Sequence, residues 1–179
     1  MADGNPESIP VKLVPPDPDW PVRAEAEGRR LHRAIGPCLI RVEHIGSTSI
    51  SNIMAKPTID LMPLVTDIAL LDERADAVRA LGYEWHGEFG LSGRRFFTFT
   101  QDHERLFNVH AYAADHPDWS RHVAFRDYLR AHPELAKDYE TVKIRAAKLQ
   151  PKDVEAYNGE KNGWIKQAEK DAIAWAAKR

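Results

Sequence analysis

Hydrophobic positions recur with two different spacings along the chain, and the changes of spacing mark its predicted elements. Apolar side chains return every three or four residues between residues 20 and 35, which predicts a helix with Asp19 as its N-cap. Two apolar runs at about 39–45 and 58–65 predict strands. Pro63 cannot donate to a ladder, so we expect the second strand to end early or to lose a partner there.

The middle of the chain combines one helix with an aromatic hairpin. The helix is predicted by a partial apolar face between residues 67 and 82. Asp67 is its candidate N-cap, and Gly82 is a good C-terminal stop. A strand is expected at residues 83–86, and the segments 94–99 and 106–112 are typical of the two arms of an antiparallel hairpin. Alternation along the second arm predicts one face with Asn108, His110 and Tyr112 and another with Phe107 and Val109.

The last third of the chain is predicted to be helical. Helices are expected at about 119–130, at about 133–149 and from near Asp153 onward. Lys161 interrupts the apolar face of the last helix, and it is interpreted as a lysine that snorkels from the edge of that face. The whole pattern predicts an α+β fold, in which a small mixed β-sheet core has flanking helices and a helical C-terminal third.

Composition and charge limit the classes of protein that fit the chain. Its 179 residues suit a single domain, assigned to residues 9–179, after a flexible tail at residues 1–8. A formal net charge of −2 gives no global basic footprint, so extended nucleic-acid binding is not expected. Lone Cys38 excludes an intramolecular disulfide and a cysteine-based zinc site, and no apolar run reaches the length of a membrane span. The polar N-terminus resembles neither a signal nor a transit peptide, so a cytoplasmic location is expected.

The stretch from His44 to Leu61 has the pattern of an anion site beside an acid. A strand leads into a turn of small residues, a short amphipathic segment and a second strand that carries Asp60. The turn lets backbone N–H groups approach an anion, a helix N-terminus adds a favourable dipole, and a strand carboxylate can ligate Mg²⁺. The turn residues are Gly46, Ser47, Thr48 and Ser49. Two interpretations stay open: these residues bind phosphate, or their hydroxyls cap a short helix.

Further candidate side chains carry similar alternatives. Lys56 precedes Pro57, and it either neutralises a phosphate or lies exposed in a loop. Arg94 and Arg95 begin a strand side by side, so alternation sends them to opposite faces. One of them can clamp a phosphate or a carboxylate with its guanidinium fork, and we assign that role to Arg95. His110 is either a ligand or acid–base group, or a hydrogen-bonded core residue.

Ordered sequence blocks over about residues 9–174 carry a family resemblance. They are Val11-x-Leu13 with Asp17-Pro18-x-Trp20, His44-Ile-Gly-Ser-Thr-Ser, Ala55-Lys56-Pro57-x-Ile59-Asp60, Leu81-Gly82-Tyr83, Gly93-Arg94-Arg95-Phe96-Phe97, Asn108-x-His110, Phe125-Arg126-Asp127-Tyr128-Leu129-Arg130 and Tyr157-x-x-x-Lys161. In their order and spacing, these blocks closely resemble the GrpB-like family, bacterial proteins with a nucleotidyltransferase-like fold and poorly defined activity. Members of that family also occur fused to dephospho-CoA kinase, which points to nucleotide or coenzyme metabolism.

The resemblance implies a nucleotidyltransferase-type core that uses a divalent metal, Mg²⁺ or Mn²⁺. In that superfamily a Gly-Ser turn helps to hold the triphosphate, and two acids on the next strand hold the metals. Gly46-Ser47 matches the turn and Asp60 matches the first acid, whereas Met62 occupies the position of the second. Two divalent ions about 4 Å apart need several hard oxygen ligands, more than Asp60 alone supplies.

Three alternatives follow from the missing acid. His44 and His110 could complete a mixed site with Asp60, which suits Zn²⁺, Mn²⁺ or Fe²⁺ better than Mg²⁺. Glu43 could contribute, although a regular strand turns it to the side opposite His44. The fold could also bind a nucleotide or another phosphate compound without transferring any group.

Two functions from different classes are therefore predicted. The first is a metal-dependent enzyme that binds a nucleotide or phosphorylated small molecule and moves a nucleotidyl or phosphoryl group to a small acceptor. Its catalytic residues would be Asp60 and His110, its phosphate ligands Gly46, Ser47, Thr48, Ser49, Lys56 and Arg95, and its metal ligands Asp60, His110 and His44. The second is a non-catalytic nucleotide- or metabolite-binding or accessory module that retains the fold. The sequence identifies neither the substrate nor the oligomeric state.

Overall fold

A five-stranded mixed β-sheet forms the centre of the computed structural model, which describes residues 11–179. The strands are β1 (Leu39–Ile45), β2 (Ile59–Val65), β3 (Glu84–Trp85), β4 (Arg95–Gln101) and β5 (Glu104–Ala113). They lie in the order β1-β2-β5-β4-β3, with β2 and β5 parallel and the other neighbours antiparallel. The tail predicted at residues 1–8 lies outside the described residues.

Six α-helices flank this sheet in the described part of the chain. They are α1 (Asp19–Ile35), α2 (Ile68–Asp72), α3 (Ala75–Ala80), α4 (Pro117–Ala131), α5 (Pro133–Leu149) and α6 (Val154–Ala176). Among residues 11–179, no helix is long and apolar enough to cross a membrane. The predicted α+β class and its helical C-terminal third are confirmed.

One face of the sheet packs against α1, because the helical stripe of α1 and alternate strand residues present apolar side chains to each other. Trp20, Leu31 and Ile35 are buried in one cluster with Leu61 of β2 and Val109 of β5. Fully burying a side chain of this size contributes about 1.5–3 kcal/mol relative to leaving it exposed. This cluster is the main core, and it fixes which face of β2 and β5 points away from it.

The opposite face of the sheet carries α4, α5 and α6, which cover it only in part. Ile45, Met62 and Tyr112 pack with Trp119 and Val123 of α4. A second apolar cluster joins the loop after β1 to α4 and α5 and contains Ile50, Ile53, Leu129, Ala136 and Tyr139. Polar side chains of β2 and β5 on the same face belong to neither cluster, and they form the floor of a cleft.

Pro63 interrupts one ladder of β2 without ending the strand. It stays opposite Val42 in the antiparallel pairing with β1. The parallel pairing with β5 skips it between Leu61 and Leu64. Of the two predicted alternatives, the structure shows the loss of a partner at Pro63. The strand does not end early, and it continues to Val65.

Three helical predictions need correction. Asp19 lies inside the first turn of α1, and Asp17 accepts its backbone N–H at 2.8 Å. The helix predicted between Asp67 and Gly82 is divided into α2 and α3. The turn after β1 is a single 3-10 turn at Ser47–Ser49, and no α-helix follows it before β2. The helix dipole expected beside the anion turn is therefore not part of this site.

Replacing Asp67 by alanine is expected to destabilise the fold by about 1 kcal/mol. Its carboxylate accepts the backbone N–H groups of Ala69 at 2.6 Å and Leu70 at 3.4 Å, which otherwise lack a partner at the start of α2. Urea unfolding followed by circular dichroism measures the change. Asp76→Ala is the control, because Asp76 pairs with Arg79 on the surface. A similar loss in both variants would contradict the capping role.

Candidate functional site

A cleft of about 330 Å³ opens between the uncovered face of the sheet and helices α5 and α6. Its floor comes from β2 and β5, and the turn after β1 and the loop before β2 contribute to its walls. The structure brings together five of the residues that the sequence nominates: Gly46, Ser47, Lys56, Asp60 and His110. Four others lie outside the lining of the cleft: His44, Thr48, Ser49 and Arg95.

Asp60 lies on the floor of the cleft, because the parallel register of β2 and β5 sets it directly opposite Asn108. Asn108 Nδ2 donates to Asp60 Oδ1 at 3.1 Å, and His110 Nε2 lies 3.5 Å from the same oxygen. Burial alone would raise the pKa of Asp60, but His110, Asn108 and the charge of Lys56 together hold it below its usual value. Asp60 is therefore an ionised carboxylate at neutral pH.

Arg94 determines how His110 faces Asp60. Its Nη1 lies 3.5 Å from His110 Nδ1. Because a guanidinium only donates, Nδ1 accepts, and Nε2 carries the proton that points to Asp60. Arg94 is buried and also donates to the Phe89 carbonyl at 2.7 Å, which fixes its position. Both ring nitrogens of His110 are thus engaged, so His110 orients Asp60 and offers no spare lone pair to a metal.

Arg95 lies on the other side of β4, as strand alternation requires. Its guanidinium binds the Asp72 carboxylate through two hydrogen bonds of 2.6 and 2.7 Å. This ion pair ties α2 to the sheet. The anion clamp expected at Arg95 is therefore already filled by a carboxylate of the protein, and Arg94 is the arginine that approaches the site.

Gly46 is required where the turn meets Asp60. Its backbone has φ 71° and ψ −173°, a region that side chains disfavour. A Cβ at this position would lie 2.5 Å from Asp60 Oδ2 and 3.1 Å from Asp60 Cβ. Gly46 thus allows the turn after β1 to pack directly against Asp60.

The three hydroxyl residues of the turn have different roles. Ser47 lines the cleft, and its Oγ donates to the Tyr139 hydroxyl at 3.3 Å. Thr48 is buried, with Oγ1 2.8 Å from Nε2 of His44, and Ser49 Oγ donates to the carbonyl at the start of the turn at 2.6 Å. Thr48 and Ser49 therefore stabilise the turn through side-chain contacts rather than by capping a helix, and of the three hydroxyl residues only Ser47 faces the cleft.

The donors around Asp60 do not fit the two-metal centre of nucleotidyltransferases. Met62, at the position of the second acid, is fully buried in the apolar cluster under α4. His44 of β1 lies opposite Leu61 of β2, on the α1 side of the sheet. Burial, followed by repulsion from Arg130, lowers the pKa of His44 to about 4. Within residues 11–179, no three His, Cys, Asp or Glu side chains converge on a point that could hold a metal ion.

Helices α5 and α6 each carry a Tyr-x-x-x-Lys pair beside the cleft, whose lining includes both tyrosines and Lys161 but not Lys143. On α6 the Lys161 ammonium lies 4.0 Å from the centre of the Tyr157 ring, and on α5 the Lys143 ammonium lies 4.8 Å from that of Tyr139. Lys56 approaches the Tyr157 ring at 5.5 Å. Cation–π contacts of this kind stabilise ammonium groups that have lost much of their water.

The lysines remain costly to charge in this position. Burial, followed by repulsion from Lys56, lowers the pKa of Lys161 to about 8. Burial, followed by repulsion from Lys161, lowers the pKa of Lys143 to about 7. Burial also lowers the pKa of Lys56, against the attraction of Asp60. Among the described residues, Asp60 is the only carboxylate that lines the cleft, so an anionic ligand would supply the negative charge that is missing.

The lysine–tyrosine pairs are the part of the site that the sequence prediction missed. Lys161 is 8% exposed and lines the cleft, so its interpretation as a snorkelling residue is wrong. Lys143 is 1% exposed, although it is also a lysine on a partly apolar helix face. The signal available in the sequence is the repetition of Tyr-x-x-x-Lys at 139–143 and 157–161.

The fold is of the nucleotidyltransferase type. The structure of a cytoplasmic RNA terminal U-transferase matches it with a TM-score of 0.51 and 16% sequence identity, over 78% of this chain and 41% of that one. At this identity the likeness concerns the fold alone, and it confirms the fold that the resemblance implied.

Within that fold the chain belongs to the GrpB family. The family described as GrpB protein matches residues 10–171. The crystal structure of the conserved protein GrpB from Enterococcus faecalis is 37% identical, with a TM-score of 0.87 over 92% of this chain and 99% of that one. UPF0157 protein YqkA of Bacillus subtilis (strain 168) is 39% identical over 165 residues, which are 92% of this chain and 48% of that protein.

A dephospho-CoA kinase of Mycolicibacterium paratuberculosis is also similar. It is 31% identical over 93% of this chain and 47% of its own length. The chain spans about half the length of the first relatives that it matches. The similarity therefore establishes the family without carrying over the activity of the longer proteins.

Proposed function

We propose that this chain binds a nucleotide or another phosphorylated small molecule in the cleft, with the phosphates between Lys56, Lys161 and Ser47. The observation that carries the proposal is the convergence of partly desolvated ammonium groups on a space with one carboxylate. Lys56 and Lys161 line that space, whereas Lys143 lies outside the lining, with its ammonium 4.8 Å from the centre of the Tyr139 ring and bound to the Met54 carbonyl.

A purely structural role explains these lysines less well. Lys137 with Glu140 is the only lysine–carboxylate salt bridge among residues 11–179, so neither of the two lysines that line the cleft has such a partner. Leaving an ammonium buried without a counter-charge costs several kcal/mol. Groups held in such unfavourable states cluster at functional sites, which supports a ligand whose charge compensates the cost.

Neutral donors complete the proposed phosphate site. Ser47 contributes its hydroxyl, and the Gly46 turn brings backbone close to the same space. Burial raises the pKa of Tyr139, so its hydroxyl stays protonated and can donate. Hydrogen bonds from such groups to a charged phosphate are about twice as strong as those between neutral groups.

Transfer of a nucleotidyl or phosphoryl group is the second candidate, and the position of Asp60 in the same cleft favours it. An acceptor hydroxyl would attack phosphorus and pass its proton to the Asp60 carboxylate. The bond from phosphorus to the bridging oxygen would break, and the leaving phosphate-bearing group would take that electron pair. The buried Met62 favours binding without transfer, because the second carboxylate of the superfamily is missing.

Asp60→Asn is expected to strengthen nucleotide binding several-fold, because it removes a negative charge beside Lys56 and Lys161. Calorimetry measures the affinity, and product analysis with radiolabelled ATP measures transfer. If the wild type transfers a group, the variant should lose it by a factor of about 10²–10⁴. A loss of binding in the variant would contradict the electrostatic account of the cleft.

Ligand binding near pH 8 is expected to take up protons. The pKa values of Lys161 and Lys143 lie at about 8 and about 7, so both amines are partly neutral there. A bound phosphate favours the charged form, and affinity should fall by up to about tenfold per lysine for each pH unit above 8. Calorimetry in buffers of different ionisation enthalpy measures the uptake. The absence of uptake by the wild type would contradict the placing of phosphate beside Lys161.

A thermal-shift screen tests the proposed function. It pairs nucleotides and small phosphorylated metabolites with their dephosphorylated counterparts, because a ligand of the native state raises stability by mass action. We expect shifts only from phosphorylated compounds, and the same compounds should give smaller shifts in Lys161→Met. No shift from any phosphorylated compound, or equal shifts from the dephosphorylated partners, would contradict the proposal.

A further inference from the structure

A second pocket, of about 420 Å³, adjoins the cleft. Lys56, Thr58 and Asn108 line both spaces, so the two meet at the start of β2 and the middle of β5. The second pocket lies beside the β4–β5 turn, and Arg23 of α1 and Val154 at the start of α6 contribute to its wall. A ligand held by its phosphates in the cleft can therefore extend into it.

Basic side chains from four separate segments converge on this second pocket. Lys12 precedes α1, Arg23 belongs to α1, Lys56 precedes β2, and Arg105 belongs to β5. Glu104 is the one carboxylate in the lining. Among residues 11–179, none of the four cations forms a salt bridge with a carboxylate. Unpaired cations from separate segments favour an anionic ligand between them.

Arg105 is held in a fixed orientation at the junction of the two spaces. Its Nε donates to Thr100 Oγ1 at 2.9 Å and its Nη1 donates to Asn108 Oδ1 at 3.3 Å. Asn108 in turn donates to Asp60 on the cleft floor. The remaining Nη2 has no hydrogen-bond partner among residues 11–179, so an oriented donor is left for a ligand.

Apolar side chains give the second pocket a different character from the cleft. Pro57, Leu106 and Val154 lie in its lining beside the cations. A site that combines apolar surface with guanidinium and ammonium groups suits an organic phosphate, whose carbon part covers the apolar wall.

Resting on the function proposed for the cleft, we infer that the second pocket binds a second organic phosphate group, held by Lys12, Arg23 and Arg105. Lys56 lies between the two phosphate positions and contributes to both. The second phosphate belongs either to the same molecule, as in a nucleoside bisphosphate, or to a phosphorylated acceptor that binds beside the nucleotide.

The test compares ATP, AMP and adenosine 3′,5′-bisphosphate by calorimetry. The variant is the double substitution Lys12→Gln and Arg23→Gln, since neither residue lines the cleft. Arg33→Gln is the matched control, because Arg33 is an exposed residue of α1 outside both linings. In the wild type, the bisphosphate should bind at least about tenfold more tightly than AMP, or AMP should bind to the ATP-saturated protein. The first result identifies one molecule with two phosphates, and the second identifies two molecules.

In the double variant, the affinity that gives this signal, for the bisphosphate or for AMP in the presence of ATP, should fall about tenfold. Its affinity for ATP alone should stay within about threefold of the wild type. The control should behave like the wild type. Neither signal in the wild type, or no greater loss in the double variant than in the control, would overturn the inference. A wild type that binds none of the three compounds gives a distinct result, because it counts against adenine nucleotides as ligands of the cleft and not against the second pocket alone.

Discussion

Lys161→Met is expected to lower nucleotide affinity by about 30-fold or more and to make the ligand-free protein more stable. The Lys161 ammonium is buried against Tyr157 and faces the space in which we place the phosphates. Methionine keeps the length of the side chain and packs well among apolar neighbours, but it removes the charge. The variant therefore tests at one residue whether Lys161 lowers the stability of the free protein while it strengthens ligand binding.

The gain in stability follows from the direction of the pKa shift. Lys161 has a pKa of about 8 in the folded protein, whereas a lysine in an unfolded chain titrates near 10.4. Between these two values the unfolded chain binds more protons, so the stability of the wild type rises with pH across that window. Below this pH window the folded protein carries the full cost of burying the Lys161 charge. Removing the charge at pH 7 should therefore stabilise the protein by about 1–2 kcal/mol, after the loss of the contact with Tyr157 is subtracted.

Lys166→Met provides the control, because Lys166 is an exposed lysine on the same helix. Scanning calorimetry measures stability, and titration calorimetry measures affinity in all three proteins. The control should match the wild type in both. A Lys161→Met protein that is less stable and still binds nucleotide with wild-type affinity would contradict the assignment of Lys161 to the ligand.

Gly46→Ala is expected to destabilise the protein by about 3 kcal/mol and to displace Asp60. The backbone at Gly46 has a positive φ of 71°, and a Cβ would lie 2.5 Å from Asp60 Oδ2. Either the turn or the acid must move. Because Asp60 is hydrogen-bonded to Asn108, the floor of the cleft should change with it.

Gly87→Ala is the control that introduces backbone strain without a clash, so the difference between the two variants measures the clash. Gly87 also has a positive φ, of 65°, but a Cβ there would have no neighbour within 4 Å. The strain alone should cost about 1 kcal/mol. Urea unfolding of the two variants gives the difference, and amide chemical shifts report the movement near Asp60. Equal losses in both variants would show that Asp60 does not depend on the glycine.

Strand alternation was the most informative feature of the sequence. It predicts that Asn108 and His110 share a face, and the structure confirms this face and sets Asp60 opposite Asn108. It also predicts that Arg94 and Arg95 point to opposite sides, although it does not say which side meets the cleft. That choice depends on the ion pair between Arg95 and Asp72, a contact between elements that alternation cannot specify.

The turn and the lysines were harder to predict, for physical reasons. Which hydroxyl of the turn reaches the cleft depends on a 3-10 geometry that buries Thr48 and Ser49 and leaves Ser47 facing Tyr139. Lys161 breaks an apolar stripe, and helical spacing alone does not distinguish an edge lysine from one buried beneath neighbouring elements. The distinction requires the packing of α5 and α6 over the sheet, which places the rings of Tyr139 and Tyr157 under their lysines.

Titration calorimetry with ATP, CTP, GTP and UTP, each paired with its nucleoside, tests most directly whether the cleft is a phosphate site. We expect saturable binding of at least one triphosphate at one site per chain, no binding of its nucleoside, and an affinity about 30-fold lower in Lys161→Met. No binding of any triphosphate would contradict a nucleotide site in the cleft. Equal binding of triphosphate and nucleoside that Lys161→Met leaves unchanged would contradict the placing of phosphates beside Lys161.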